Sequence, residues 1–120
     1  MNRIDKTLEE SQSILGLPPI DEMVYVCKKK DGHGIVVEVR SSNEHGVPHA
    51  HVKNTEGTKA CVIEITNSAP VNQDSVKVLA GNRDTDLKGE IVKWSKGVHR
   101  KSGLNNWLQL QVSWDSLRPD

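Results

Sequence analysis

The chain has 120 residues, 16 Lys and Arg against 16 Asp and Glu, 35% hydrophobic residues and no Phe. That length suits one domain and speaks against a second core, and the hydrophobic share lies well above that of a disordered chain. The neutral total argues against a strongly basic nucleic-acid binder, but it hides an asymmetry: between Lys28 and Lys101, 13 Lys and Arg stand against 9 Asp and Glu, and both ends are acidic. A basic centre of this size permits an anionic partner without identifying one.

Residues 1–22 read as an N-terminal extension. Ile4, Leu8 and Leu15 fall near one side of a short helix, which Gly16-Leu17-Pro18-Pro19 ends because proline lacks an amide donor and disfavours helix in the residue before it. Residues 23–120 read as a single α+β domain. Two β-rich runs, Met23–Lys28 and Ile35–Arg40, flank Gly32 and Gly34 at a turn, and Ile35, Val37 and Val39 share one strand face. His49–Lys53 predicts a third strand. Lys59–Thr66 predicts a fourth, with Cys61, Ile63 and Ile65 on one face and Glu64 on the other. After Pro70 the period changes. Leu87, Ile91, Trp94 and Val98 recur as one helix stripe capped by Asp84 or Asp86, and Trp107, Leu110, Trp114 and Leu117 form a second, capped by Ser102. Val76, Val78 and Leu79 have the composition of a further short strand. The expected architecture is an antiparallel four-stranded sheet, a meander, packed against two C-terminal helices.

Cys27 and Cys61 lie in apolar runs without metal-type spacing, so they read as reduced core residues, which favours the cytosol. The start of the chain has no apolar secretory segment, and no stretch approaches the roughly 20 apolar residues of a membrane span, so no membrane partner is expected. Trp94, Trp107 and Trp114 read as anchors of the core or of a partner interface.

The chemistry-bearing segment is Glu44-His45-Gly46-Val47-Pro48-His49-Ala50-His51-Val52. Strand alternation puts His49 and His51 on one face, and His45 can fold back toward them across Gly46. Two readings stand side by side. Three imidazoles with Glu44 or Glu64 suit a divalent zinc, manganese or iron ion, because neutral imidazole and carboxylate are the usual ligands of these metals. Alternatively His49 and His51, with His45, are general acid and base, and Arg40, Lys53 or Lys59 steadies a phosphate for metal-independent RNA cleavage. The plain structural reading is a hydrogen-bonded or solvent-facing histidine pair. Two basic clusters, Lys28-Lys29-Lys30 and Lys93, Lys96, Arg100 and Lys101, can contact phosphates. No aromatic residue interleaves them, so base stacking is not expected. Phosphate-loop, dinucleotide and serine-hydrolase motifs are absent.

The segment Ser42-Asn43-Glu44-His45-Gly46-Val47-Pro48-His49-Ala50-His51-Val52 resembles the signature of a bacterial family, domain of unknown function 4160. The likeness continues through Lys59–Ile65 and, as patterning, to Trp94 and Leu104-Asn105-Asn106-Trp107. Val47 stands where the family has a first proline and Ala50 where it has a larger residue. The resemblance implies a small cytosolic protein, one component of a toxin–antitoxin-type pair with a small protein partner. It marks His45, His49 and His51 as functional positions without assigning them a role. Partner binding is therefore the leading expectation, and a histidine-dependent RNA or phosphoester hydrolase is the alternative.

Overall fold

The computed structural model describes residues 23–40 and 46–118. The helix-compatible extension 1–22, together with Glu44 and His45, lies outside the described residues. Five strands follow one another in space as they do in sequence: β1 (Met23–Cys27), β2 (Ile35–Arg40), β3 (His49–Asn54), β4 (Ala60–Glu64) and β5 (Val78–Gly81). Every neighbouring pair is antiparallel. The expected meander thus has one strand more than four. The fifth comes from the Val76–Leu79 region, pairing Val62 with Ala80 and Ile63 with Val78. Its outward residues are mostly small or exposed, so hydrophobic alternation alone marks it weakly.

Alternation sorts the side chains into two layers. Val37 and Val39 from β2, Ala50 and Val52 from β3, and Cys61 and Ile63 from β4 are buried toward two helices, α1 (Thr85–Ser95) and α2 (Asn106–Ser116). The helices contribute Leu87, Ile91 and Trp94 from α1 and Trp107, Leu110 and Trp114 from α2 to the same core. All three tryptophans are buried, so they anchor the core rather than a partner interface. Trp107 also ties α2 to the chain after β4, its indole N–H donating to the Asn67 carbonyl at 2.7 Å.

Val98 departs from its expected stripe. Helix α1 ends at Ser95, and Val98 is 68% exposed. The ending is made by asparagines from the following turn. Asn106 donates to the Trp94 carbonyl (2.8 Å) and Asn105 to the Ser95 carbonyl (2.9 Å), so carbonyls left open at the helix end are satisfied without another turn. Asn105, not Ser102, also caps α2: its side-chain oxygen accepts from the amides of Trp107 and Leu108. Asp84 caps α1 as expected, accepting from Asp86 N–H at 2.8 Å. No helix among the described residues is long and apolar enough to cross a membrane.

Candidate functional site

The strand register assembles the site on the sheet face opposite the helices. Tyr25 pairs with Glu38, Glu38 with His51, His51 with Val62, and Val62 with Ala80, so these residues form one row across the five strands. Val36, Lys53 and Ala60 make the next row. Between them runs a groove of about 260 Å³ with an apolar floor that includes Val62 and Ala80 and a polar wall of Glu38, Arg40, His51 and Lys53. Arg40 donates to Glu38 Oε1 from Nε (3.0 Å) and from a terminal nitrogen, and this pairing accompanies the burial of Glu38. A buried carboxylate held this way is neutralised locally. Arg40 remains half-exposed, so part of its guanidinium still faces the groove.

His49 and His51 occupy the same strand face with ring centroids 5.6 Å apart, as alternation requires, but they do not share an environment. His51 is half-buried and lines the groove. His49 is only 7% exposed, so for this ring the hydrogen-bonded reading holds and the solvent-facing one does not. The cause is tertiary. His49 is the first residue of β3, at the sheet end where Trp114 of α2 lies 5.0 Å from its ring. Its Nδ1–H donates to the Val47 carbonyl at 2.8 Å; a carbonyl can only accept, so the proton belongs on Nδ1. Arg118 completes this corner, stacking on Trp114 and donating to the Arg40 carbonyl at 2.7 Å.

The remaining expected residues disperse. Lys59 does not line a phosphate subsite with Arg40. Its ammonium bonds Asp84 Oδ2 at 2.7 Å, which raises the Lys59 pKa and lowers that of Asp84. Glu64 accepts from the Thr66 hydroxyl (2.7 Å) and pairs with Lys77. Among the described residues no three of His, Cys, Asp and Glu are grouped to hold a metal ion, and His45, the third imidazole of that reading, lies outside them. Burial pushes the Cys27 thiol up to about 12 and the Cys61 thiol up to about 11, so both stay protonated and serve as core, not as nucleophiles. Sequence reasoning missed Glu38 and Trp114. Glu38 was within reach, because alternation places it on the Arg40 face two residues away; no sequence signal links Trp114 to His49.

A second concavity of about 350 Å³ lies at the same end of the molecule, between Pro48 of the histidine segment and Leu108 and Val112 of α2. Val47, Leu108 and Val112 are 44%, 45% and 43% exposed. Comparison with known proteins adds no relative: no family model, no curated protein and no solved structure matches the chain.

Proposed function

We propose that this is a small cytoplasmic partner-binding protein, one component of a toxin–antitoxin-type pair, and that its partner is a small protein presenting an apolar ridge. The observation that carries this reading is the exposed pair Leu108 and Val112, which lines the concavity beside Pro48. Single exposed apolar residues are ordinary on protein surfaces, but two on one helix face lining one cleft form the kind of patch that marks association. The patch joins the histidine segment to α2. The family resemblance of that segment supports the same reading, and the burial of His49 against Trp114 gives the motif a structural task in shaping the patch. The test is co-purification with the product of the adjacent reading frame. The wild type and His51→Ala are expected to retain that partner, and Leu108→Asp/Val112→Asp to lose it while keeping its fold by circular dichroism. Retention by the double variant would overturn the assignment of the surface.

A second reading has its own observation. His51, Arg40 and Lys53 line one groove, and together they offer an acid–base group and two cations for a phosphoester. In this hydrolase reading His51 alone carries the proton transfer, because His49 is closed off by Trp114. Growth arrest and loss of total RNA on expression of wild type, but not of His51→Ala, would favour it over partner binding.

A further inference from the structure

Two basic clusters some 70 positions apart in the chain meet in space. Lys28 and Lys30, at the β1–β2 turn, line one cleft of about 230 Å³ together with Arg100 and Lys101 from the turn between the helices. A neighbouring depression is lined by Lys28 and Lys29 on one side and Lys53 of β3 on the other. The two concavities share Lys28 and Tyr25, and Tyr25 is 41% exposed. Six exposed cations therefore line two adjoining concavities that share the exposed ring of Tyr25. None of the six is ion-paired within the described residues. The one carboxylate lining either concavity, Asp31, is already engaged by the Lys28 amide at 2.8 Å.

No aromatic residue interleaves the basic clusters in sequence, but the fold sets Tyr25 between them in space. Tyr25 precedes Lys28 on β1, at the edge of the sheet, and the fold brings the Arg100–Lys101 turn to its other side. That turn is displayed because α1 stops at Ser95 and its end is tied down by Asn105 and Asn106, which send residues 98–101 outward.

From this juxtaposition we infer that the Tyr25 track binds a single strand of nucleic acid, its phosphates following the cations and one base stacking on the tyrosine ring. Six exposed cations against the one carboxylate of Asp31 favour a polyanion over a single compact anion. The aromatic ring among them favours a nucleobase over an acidic peptide, since every base offers a face for stacking. None of the six cations lies on an α-helix of the described residues that could enter a duplex groove, so a flexible single strand fits the track better. The site is separate from the Leu108–Val112 patch, and the inference does not depend on the partner-binding reading.

The test is fluorescence anisotropy of the full chain with fluorescein-labelled oligo-uridine and oligo-thymidine of about ten nucleotides, the two arms separating RNA from DNA. With up to six phosphates neutralised, log affinity is expected to fall with log salt at a slope near −4, so raising salt from about 50 to about 200 mM weakens binding a few hundred-fold. Lys28→Glu/Lys30→Glu and Arg100→Glu/Lys101→Glu each weaken binding and flatten the salt slope by at least about 1.4. Lys28→Gln/Lys30→Gln gives a smaller loss of the same sign. Tyr25→Ala weakens binding roughly tenfold with an unchanged salt slope. Lys93→Glu/Lys96→Glu, an equal charge change on residues that line neither concavity, leaves affinity within about twofold at the higher salt. Three results would overturn the inference: no binding of either oligonucleotide at the lower salt, equally tight binding of a labelled poly-glutamate peptide, or a loss in the off-track variant as large as in the on-track pairs.

Discussion

Replacing His49 by Ala separates a structural histidine from a reactive one. The imidazole packs on Trp114 at 5.0 Å and donates to the Val47 carbonyl at 2.8 Å in a site only 7% exposed. Loss of the ring–ring contact costs about 1 kcal/mol, and loss of the hydrogen bond costs about another 1 kcal/mol. The exposed Val47 position lets water reach its freed carbonyl, so no large additional penalty follows. His49→Ala is therefore expected to lose about 2 kcal/mol, which for a chain of this size lowers Tm by roughly 6–12 °C. His51→Ala removes a half-buried side chain with its 5.6 Å edge contact to His49 and is expected to cost about 1 kcal/mol, a shift of roughly 3–6 °C and half that of His49→Ala. Thermal melts followed by far-ultraviolet circular dichroism measure both. A double-mutant cycle of His49→Ala with Trp114→Leu should show a coupling of about 1 kcal/mol. A His49→Ala melt within about 2 °C of wild type, or an equal fall in His51→Ala, would refute the division of roles between the two rings. The division also matters for interpretation. A loss of activity in a variant lacking both histidines reports folding and chemistry together, whereas His51→Ala alone isolates the chemistry.

Three further outcomes follow from the fold. Asn105→Ala removes both the cap of α2 and the donor to the Ser95 carbonyl, and is expected to cost about 2 kcal/mol in urea denaturation; Asn105→Asp keeps the cap and should lose about half of that. Gly81→Ala is expected to cost about 3 kcal/mol or more by the same measurement. Its φ is +92°, and a Cβ there would lie 2.6 Å from the Ala60 carbonyl oxygen and 2.9 Å from Cys61 Cα, forcing β5 off β4. Cys27 and Cys61 should resist Ellman's reagent in the folded protein near about pH 8 and react once urea unfolds it. Their folded pKa values lie above the ordinary 9.0, so the folded state holds the thiol protons more tightly. The stability they contribute is complete below that value and is lost as pH rises through about 11 and about 12, which urea midpoints taken across the alkaline range will register.

Local pattern determined a good part of the molecule. Alternation in Ile35, Val37 and Val39 and in Cys61, Ile63 and Ile65 specifies which side of the sheet is core, because a strand that buries one face tolerates only one assignment of its residues. The spacing of Leu87, Ile91 and Trp94 and of Trp107, Leu110 and Trp114 likewise specifies two helices and the faces they bury. The same alternation placed His49, His51 and Lys53 together on the outer face. Local pattern was blind wherever a residue's surroundings come from distant chain. The burial of His49 depends on Trp114, 65 positions away, and so does its distinction from His51. The end of α1 was decided by asparagine side chains reaching back from the next turn, which took the carbonyls that a continued Val98 stripe would have used. β5 exists because β4 offers it a free edge, not because its own residues alternate strongly. Two lysine- and arginine-rich stretches that look like ordinary solvated surface in sequence became one track around Tyr25 only once the meander and the interhelical turn were folded side by side. Periodicity reports which face of an element meets the core, but contacts between elements depend on how those elements are stacked, and that information is carried by the packing of the whole chain.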